Sequence, residues 1–502
     1  MPTIHPFNES RITRGADGIA RYQDRPQSLL HMLRATVDKW KDKEALVELG
    51  GERIGYSQLW DRAARVAGGL RAQGVGRGDR VAIRLGNGVD WCVAFYGVQM
   101  AGAVCVPVNT RFAEAEVEYV VTDSGSKVVI MPGQPLPDGP PFAVEDLKQS
   151  DLSAIFYTSG TTGFPKGATT THEAFLSNIE TCQRISNRPM DNATRTLVSV
   201  PLFHVTGCNS QLLPTCEVGG TVVIMPAFDV KLFLKAITAE RLNTLTSVPA
   251  VFWLAINQPN FGEVDRSAIT RISYGGAPMP PDLVGKLMEA FPNAQLGNGF
   301  GLTECCSVAT FLPHQYSKLR PETVGFAAPV VDLKLADVDQ HTCAGELLIR
   351  GPNVSLGYWN KPEANAETFV DHWLHTGDMA RIDEEGFVQI VDRKKDMVNR
   401  GGENVYCVEV ENALAAFPAV FEVAVTAVPD AMMGEKVGAV IVPKPGQTID
   451  ANELVAFAKT RLADFKVPQY IVVRSEALPR NPGGKVLKKQ LREKVDWGKR
   501  VW

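Results

Sequence analysis

The segment Tyr157-Thr-Ser-Gly-Thr-Thr-Gly-Phe-Pro-Lys-Gly167 is a run of small hydroxylated residues and glycines that contains one lysine. Glycine lets backbone N–H groups approach an anion closely, hydroxyls donate hydrogen bonds, and Lys166 adds a positive charge. The apolar run at residues 152–157 predicts a buried strand that leads into this loop. The sequence therefore predicts a polyphosphate-binding loop, whose candidate residues are Thr158, Ser159, Gly160, Thr161, Thr162, Gly163 and Lys166.

This loop differs from the common nucleoside-triphosphate loop, in which Gly-Lys-Ser/Thr follows four spacer residues, because Pro165 precedes the lysine and Gly167 follows it. It resembles the phosphate loop of the adenylate-forming superfamily, which includes acyl- and aryl-CoA synthetases, firefly luciferase and the adenylation domains of peptide synthetases. A flexible Gly/Thr linker is the alternative interpretation. The resemblance, which is strongest to fatty acyl-CoA synthetases, implies an ATP-dependent, AMP-forming acid–thiol ligase that uses ATP, Mg²⁺ and coenzyme A.

A second segment, Asn298-Gly-Phe-Gly-Leu-Thr-Glu304, resembles the Gly-Tyr-Gly-Leu-Thr-Glu motif of the same superfamily. A dinucleotide-binding loop is a poorer interpretation, since no clear hydrophobic strand precedes these glycines and no glycine lies three residues after Gly301. The resemblance implies that Phe300 stacks near the adenine. It also implies that Thr303 binds the α-phosphate and that Glu304 is the Mg²⁺ ligand.

Two further segments resemble the adenine and ribose sites of the superfamily. The first is Gly-Gly-Ala-Pro at residues 275–278, and the implied adenine-binding residues are Gly276, Ala277, Pro278, Asn298, Gly299 and Phe300. The second is His375-Thr-Gly-Asp378, which is followed by Asp392-Arg393. A carboxylate is a suitable acceptor for two vicinal hydroxyls, and the resemblance implies that Asp378 and Arg393 bind the ribose.

Two motifs carry the remaining candidate catalytic residues. In Pro479-Arg-Asn-Pro-Gly-Gly-Lys485, the proline and glycines predict a tight loop that presents a lysine. By resemblance, Lys485 bridges the substrate carboxylate and the α-phosphate during adenylation. The segment Pro201-Leu-Phe-His204 resembles the superfamily segment whose histidine gates the acyl tunnel. The predicted catalytic set is therefore Lys485, Thr303, Glu304 and His204.

Candidates for the acyl pocket are mostly apolar or small: Val205, Cys208, Val248, Trp253, Gly275 and Gly301, together with His204 and Gly299. They include no Arg or Lys for a second carboxylate and no Asp for an amino group, which disfavours dicarboxylic and amino acids. We expect a medium- to long-chain fatty acid. A benzoate- or cinnamate-type acid is the alternative, because Phe203, Phe252 and Trp253 can sandwich a ring. A stand-alone adenylation enzyme that loads a carrier protein, and a luciferase-like oxygenase, are further alternatives.

Helical and strand-like patterns alternate through much of the first 390 residues, with helical spacing at 59–72, 91–103 and 230–239 and strands at 80–85, 197–200 and 244–248. This alternation predicts an α/β fold with mostly parallel sheets. A charged run at 393–396 then precedes a compact α+β region. We expect an N-terminal adenylation domain at 1–392, a hinge at 393–396 centred on Lys395, and a mobile C-terminal domain at 397–502. The resemblance implies that Gly401, Gly402 and Glu403 line the coenzyme A tunnel.

Composition limits the partners and the compartment. The 52 basic and 56 acidic residues give a net charge of −4, which argues against a nucleic-acid binder driven by bulk charge. The nine cysteines are scattered without zinc-site spacing, as is typical of reduced thiols. Neither a signal-peptide core nor an uncharged apolar run of about 18 residues is present. We expect a cytoplasmic protein without an integral membrane segment, whose partners are a carboxylic acid, ATP and coenzyme A; a homodimer is compatible with the sequence.

Overall fold

The computed structural model describes residues 4–158, 165–186, 188–277, 279–401, 403–480 and 486–502. The chain divides into two compact units. The first comprises Met1–Lys334, Leu348–His375 and Asp383–Val388, and the second comprises Leu335–Leu347, Thr376–Ile382 and Gln389–Trp502. The expected limits of the adenylation domain, hinge and C-terminal domain stay predictions.

The first unit begins with a two-stranded ribbon and continues with alternating helices and strands. Its first elements are β1 (Ile12–Arg14), β2 (Ala20–Tyr22), α1 (Leu29–Trp40), β3 (Glu44–Glu48), β4 (Arg53–Gly55), α2 (Tyr56–Ala72), β5 (Arg80–Ile83), α3 (Val89–Met100), β6 (Val104–Pro107), α4 (Glu114–Ser124), β7 (Ser126–Ile130), β8 (Leu152–Thr158), β9 (Lys166–Thr171) and α5 (His172–Ile185). Every residue of α3 except Asp90 is buried, which explains why the sequence of this helix is almost entirely apolar.

A second run of alternating elements follows. It consists of β10 (Arg195–Val198), α6 (Val205–Gly207), a π-helical turn (Cys208–Leu212), α7 (Leu213–Glu217), β11 (Thr221–Ile224), α8 (Val230–Ala239), β12 (Thr244–Ser247), α9 (Pro249–Ile256), β13 (Arg271–Gly275), α10 (Pro281–Ala290), β14 (Gln295–Phe300), a 3₁₀ turn (Thr303–Cys305), β15 (Thr310–Leu312), α11 (His314–Ser317) and β16 (Phe326–Ala327). Local sequence sets these boundaries: Asp229, for example, caps α8 by accepting from the N–H of Leu232 at 2.7 Å.

Two sheets organise this unit. The larger has nine strands in the order β16-β15-β14-β13-β12-β10-β11-β3-β4, and its consecutive pairs from β14 to β3 are parallel. The smaller has the order β7-β5-β6-β8-β9, and only the β8–β9 pair is antiparallel. The predicted α/β fold with mostly parallel sheets is confirmed.

One expectation about this region was wrong, because Gly297 and Gly299 lie inside a strand, β14. β14 has no hydrophobic run of its own because a side chain of the adjacent strand, β15, occupies the space beside its glycines. A Cβ added at Gly297 would lie 2.1 Å from Cζ of Phe311, which belongs to β15. The ring of Phe311 thus takes the volume that side chains of β14 would otherwise occupy.

The remaining elements are β17 (Asp332–Ala336), β18 (Gly345–Arg350), α12 (Pro362–Thr368), β19 (Phe369–Val370), β20 (Trp373–Ile382), β21 (Val388–Arg393), β22 (Val398–Arg400), β23 (Glu403–Val405), α13 (Cys407–Ala415), β24 (Val420–Asp430), β25 (Gly434–Pro443), α14 (Ala451–Lys459), a 3₁₀ turn (Asp464–Lys466), β26 (Tyr470–Val473) and α15 (Lys488–Lys494). The order β23-β22-β25-β24 with β26 beside β25 forms the main sheet of the second unit. The residues packed between this sheet and α13 and α14 include Val410, Leu414, Ile441 and Leu454. This is the predicted α+β arrangement.

Within the described residues, no helix combines the length and apolar character that a membrane span requires. All nine cysteines are described, and each is a free thiol.

Two helix-interior glycines allow a matched test of packing against α2. A Cβ at Gly69 of α2 would lie 2.2 Å from the backbone nitrogen of Asp138, whereas a Cβ at Gly285 of α10 meets nothing within 4 Å. We expect Gly285→Ala to raise the free energy of unfolding by about 0.5–1 kcal/mol through helix propensity. We expect Gly69→Ala to lower it by about 1–3 kcal/mol through overpacking. Urea unfolding measures both, and equal stabilisation by both variants would contradict the packing described for Gly69.

Candidate active site

Four neighbouring strands of the nine-stranded sheet end at one edge, because β10, β12, β13 and β14 are parallel. Ligands of such sheets bind outside the carboxyl ends of the strands. Several predicted site residues follow or end these strands: His204 follows β10, Val248 follows β12, Gly275, Gly276 and Ala277 lie at the end of β13, and Asn298, Gly299 and Phe300 lie at the end of β14. The structure thus gathers most of the predicted adenine residues and part of the predicted acyl pocket.

The ends of β13 and β14 approach each other closely. Gly275 is the register partner of Gly299, and a Cβ at Gly275 would lie 2.2 Å from the Gly299 carbonyl oxygen. Gly276 has a φ of +74°, which favours glycine. A Cβ at Gly299, in contrast, would meet its first heavy atom only at 3.8 Å. Gly275 and Gly276 are therefore required by the backbone, whereas Gly299 borders space that a side chain can enter.

The other predicted pocket residues differ in exposure. Val205 and Cys208 are buried in the main core, and burial raises the pKa of the Cys208 thiol well above its usual range. The exposed His204 is the N-cap of α6, and its Nδ1 accepts from the N–H of Thr206 at 3.2 Å. Trp253 on α9 is 40% exposed. At Gly301, any Cβ would overlap the carbonyl oxygen of Ser307, so this glycine is required by packing.

The predicted phosphate loop connects β8 to β9. Thr158 ends β8 and Lys166 begins β9, and the two residues are paired across the hairpin. The hydroxyl of Tyr157 donates to Asp123 Oδ2 at 2.7 Å, and burial raises the pKa of this tyrosine, which keeps it a neutral donor. The candidates Ser159, Gly160, Thr161, Thr162 and Gly163 lie outside the described residues.

A segment that the sequence analysis did not single out crosses this hairpin. Residues 355–361, here called the strap, pair with β9: Thr169 donates to the Gly357 carbonyl from its N–H at 3.0 Å and from its hydroxyl at 2.7 Å, and the Trp359 N–H donates to the Gly167 carbonyl at 2.7 Å. At the end of the strap, Lys361 Nζ donates to Asp123 Oδ1 at 2.5 Å. Asp123 therefore binds both the entry to the phosphate loop and the end of the strap.

Glu304 lies beside the strap. Its carbonyl accepts from the Ser355 N–H at 2.8 Å, and its carboxylate Oε1 accepts from the hydroxyl of Tyr358 at 2.7 Å. The ring of Tyr358 also lies 5.0 Å from Nζ of Lys166. A partly exposed carboxylate with one oxygen held by a neutral donor suits a Mg²⁺ ion, which prefers oxygen ligands and takes few of them from the protein.

Three buried asparagines hold the segment that follows Glu304. Cys306 and Ser307 have φ values of 58° and 124°, which are unfavourable for residues with a side chain. Asn209 donates to the Cys306 carbonyl at 3.0 Å, and Asn178 accepts from the Val308 N–H at 3.1 Å. Asn353 donates to the carbonyls of residues 305 and 308 at 3.0 and 3.1 Å. These bonds fix the backbone directly after the predicted metal ligand.

Within the second unit, the predicted ribose residues form an ion pair. Arg393 Nε lies 2.8 Å from Asp378 Oδ1, and Asp378 is only 2% exposed. The neighbouring Asp392 is also buried, and burial raises its pKa to about 6. Burial lowers the pKa of Lys395, the predicted hinge residue.

Two of the predicted coenzyme A residues, Gly401 and Glu403, lie on a hairpin of the second unit. Gly401 has a φ of +62° and follows β22, and Glu403 begins β23, where it pairs with Arg400. Gly402 lies outside the described residues, as do the adenine candidate Pro278 and the catalytic candidate Lys485.

A hairpin that carries Lys166, the adjacent carboxylate of Glu304 and glycine-rich strand ends at the carboxyl edge of a parallel sheet are typical of nucleotide-using α/β enzymes. The sequence matches the AMP-binding enzyme family over residues 33–141 and 132–359, and the AMP-binding enzyme C-terminal domain over residues 409–485. The chain belongs to this family of AMP-binding enzymes. The predicted superfamily is confirmed, and so is the predicted class, an ATP-dependent, AMP-forming acyl-CoA synthetase.

Among similar proteins, feruloyl-CoA synthase of Amycolatopsis is 35% identical over 472 residues, which cover 89% of this chain and 95% of that protein. The long-chain-fatty-acid–CoA ligase FadD13 of Mycobacterium tuberculosis is 36% identical over 475 residues, which cover 88% and 93%. The solved structure of o-succinylbenzoate CoA synthetase from Bacillus subtilis with its acyl-adenylate superposes with a TM-score of 0.84 at 28% identity, covering 93% of this chain and 99% of that one.

The sequence reasoning missed Tyr358, Asp123 and the three asparagines. Glycines in Gly351-Pro-Asn-Val-Ser-Leu-Gly357 marked a turn-rich segment, which is a signal for a loop but not for contact with Glu304. The asparagines act through buried backbone groups, and no local pattern identifies their partners.

The asparagine contacts predict a stability defect. In Asn353→Asp the side chain keeps its size but loses the amide that donates to two buried carbonyls. We expect the free energy of unfolding to fall by about 2–4 kcal/mol, because buried acceptors lose their donor and a carboxylate faces them. Urea unfolding at pH 7 measures the change. Asn293→Asp is the comparison, because its exposed amide donates to the Ser267 carbonyl at 3.1 Å. An equal loss in both variants would contradict a special role for Asn353.

Proposed function

We propose that this acyl-CoA synthetase activates a medium- to long-chain fatty acid. The observation that carries the proposal is the position of Phe252. An aryl-acid pocket built from Phe203, Phe252 and Trp253 needs their rings at its surface, but Phe252 is 0% exposed and packs within the hydrophobic core. The pocket candidates that are at least partly exposed then include Val248, Gly299 and the ring of Trp253, and this set suits a flexible hydrocarbon chain.

The chemistry follows from the poor leaving group of a carboxylate. The acid attacks the α-phosphorus of ATP, which gives acyl-AMP and pyrophosphate, and the thiol of coenzyme A then displaces AMP. Mg²⁺, when bound, neutralises phosphate charge. The chain's own residues align the reactants: Lys166 and the 158–163 loop bind the departing pyrophosphate, Thr303 binds the α-phosphate, and Lys485 bridges it to the acid. The single carboxylate of Glu304 would hold the metal.

The remaining predicted residues are assigned to the nucleotide, the acid and coenzyme A. The adenine would lie at the ends of β13 and β14 against Phe300, and the ribose would bind the Asp378 carboxylate. We place the mouth of the acyl tunnel at His204. Thiolysis would follow rotation of the chain beyond Lys395, which removes Lys485 and brings Gly401, Gly402 and Glu403 to the coenzyme A.

An aryl acid is the second candidate. Two observations favour it: feruloyl-CoA synthase is as similar to this chain as the fatty-acid ligase is, and the ring of Trp253 is 40% exposed. A third candidate is an enzyme that loads a carrier protein. Turnover of free coenzyme A distinguishes the two ligase functions from this one.

The decisive experiment measures AMP release by purified protein with straight-chain fatty acids, benzoates, cinnamates, malonate and amino acids, each with and without coenzyme A. We expect the highest kcat/KM with fatty acids of medium to long chain, only when coenzyme A is present. A preference for cinnamates would select the aryl alternative. Pyrophosphate exchange without coenzyme A turnover would select a carrier-protein loader.

Gly299 provides a variant that changes selectivity. Because a Cβ there meets no heavy atom within 3.8 Å, Gly299→Val should fold and place two methyl groups in the pocket. We expect kcat/KM for the preferred acid to fall about 10- to 100-fold relative to an acid two carbons shorter, since each methylene contributes roughly 0.8 kcal/mol. Gly276→Val, which strains a positive φ, is the control for a folding defect. An unchanged chain-length profile in folded Gly299→Val would exclude this glycine from the acyl pocket.

Lys485 is proposed to act in adenylation only. We expect Lys485→Ala to lower pyrophosphate exchange about 100-fold or more, because a charge that aligns the attacking carboxylate is lost, while thiolysis of supplied acyl-AMP is retained. Lys489→Ala, an exposed lysine on α15, is the matched control. Equal losses in both half-reactions would refute the role.

A further inference from the structure

Tyr358 of the strap contacts two described residues of the proposed site at once. Its hydroxyl donates to Glu304 Oε1 at 2.7 Å, and its ring lies 5.0 Å from the Lys166 ammonium. Tyr358 itself is 9% exposed. Glu304 lies in the 3₁₀ turn that follows β14, and Lys166 begins β9; β14 and β9 belong to different sheets. Tyr358 therefore links the residue proposed to hold the metal with the lysine proposed to bind pyrophosphate.

The strap does not depend on this hydroxyl for its position. Its backbone is fastened to β9 through Gly357 and Trp359, and the Tyr358 backbone exchanges two hydrogen bonds with the side chain of Asn365, at 2.6 and 2.9 Å. These backbone hydrogen bonds position residue 358, and they remain when the tyrosine hydroxyl is removed. The hydroxyl acts on Glu304, not on the fold of the strap.

We propose that Tyr358 is a positioning residue for the metal–pyrophosphate half of the site. Its hydroxyl binds one carboxylate oxygen of Glu304, which sets the rotamer of the side chain and directs the other oxygen towards the metal. Its ring face attracts the Lys166 ammonium, which limits where that charge can lie. Metal ligands commonly need such neighbours, because an unsupported carboxylate samples several rotamers. This inference rests on the proposed roles of Glu304 and Lys166.

Two variants separate the functions of the hydroxyl and the ring. Tyr358→Phe removes the bond to Glu304 but keeps the ring beside Lys166, whereas Tyr358→Leu removes both. We expect Tyr358→Phe to weaken Mn²⁺ binding in the presence of ATP, measured by electron paramagnetic resonance, about tenfold, as the loss of a hydrogen bond to a charged group implies. The KM for ATP at saturating Mg²⁺ should stay within about twofold of wild type. In Tyr358→Leu that KM should rise as well, by about 5-fold, since the lysine also loses its neighbour.

The control is Tyr22→Phe, which removes another buried tyrosine hydroxyl bond, to Thr181 Oγ1 at 2.9 Å, away from Glu304 and Lys166. We expect its Mn²⁺ affinity to equal that of wild type. Thiolysis of supplied acyl-AMP should be unchanged in Tyr358→Phe, and its melting temperature should lie close to that of Tyr22→Phe.

Unchanged Mn²⁺ affinity in folded Tyr358→Phe would overturn the inference, as would the same loss in Tyr22→Phe. Failure of the proposed roles looks different: Glu304→Gln would then leave metal affinity unaltered in an otherwise wild-type protein. Measuring Glu304→Gln beside Tyr358→Phe therefore distinguishes an error about the tyrosine from an error about the metal site.

Discussion

The carbonyl oxygen of Gly357 accepts two hydrogen bonds from one residue, Thr169, and much of the candidate site depends on this contact. It sets the register of the strap on β9. With that register, Trp359 pairs with Gly167 and Tyr358 lies opposite Ala168. A shift of one residue would turn Tyr358 to the other face of the pairing and separate its hydroxyl from Glu304. A main-chain contact thus determines the surroundings of a carboxylate far away in the sequence.

The segment after Glu304 illustrates a second constraint, which is that precise placement costs conformational energy. Cys306 and Ser307 both have positive φ values, each of which costs about 1–3 kcal/mol for a residue with a side chain. Buried hydrogen bonds offset this cost: Asn209 and Asn353 donate to backbone carbonyls, and Asn178 accepts from a backbone N–H. Such bonds are strong in the dry interior, and their loss leaves backbone groups without water to replace the partner. The strain therefore persists only because these elements are packed around it.

The sequence predicted the parts of the fold that repeat a local pattern. Helical spacing identified α2, α3 and α8, and short apolar runs identified β5, β8 and β12. In each of these segments the spacing of the apolar residues follows the buried face of the element. It failed at β14, where the apolar ring that fills the strand's face, Phe311, comes from another strand.

The motifs indicated the superfamily and the enzyme class, whereas contacts between distant segments could not be predicted. Tyr358 and Glu304 are 54 positions apart, and Thr169 and Gly357 are 188 apart. Similarly, Phe252 looks like a pocket residue in sequence, and only the packing of α9 shows that its ring lies in the core. Side chains whose partners are backbone groups, such as Asn353, leave no pattern in a single sequence.

The proposed rotation about Lys395 has an energetic consequence within the second unit. Cys407 contacts both sides of this residue: its N–H donates to the Asp392 carboxylate, and its thiol donates to the Asp396 carbonyl at 3.0 Å. Rotation about Lys395 can preserve the bond to Asp396 but has to break the bond to Asp392. Burial raises the pKa of Asp392 to about 6, which still leaves the carboxylate mostly charged at neutral pH. A hydrogen bond to a charged acceptor contributes about 1.5–3 kcal/mol. In the proposed cycle, release of pyrophosphate and binding of coenzyme A offset the loss of this bond. The bond between Cys407 and Asp392 therefore opposes the proposed rotation.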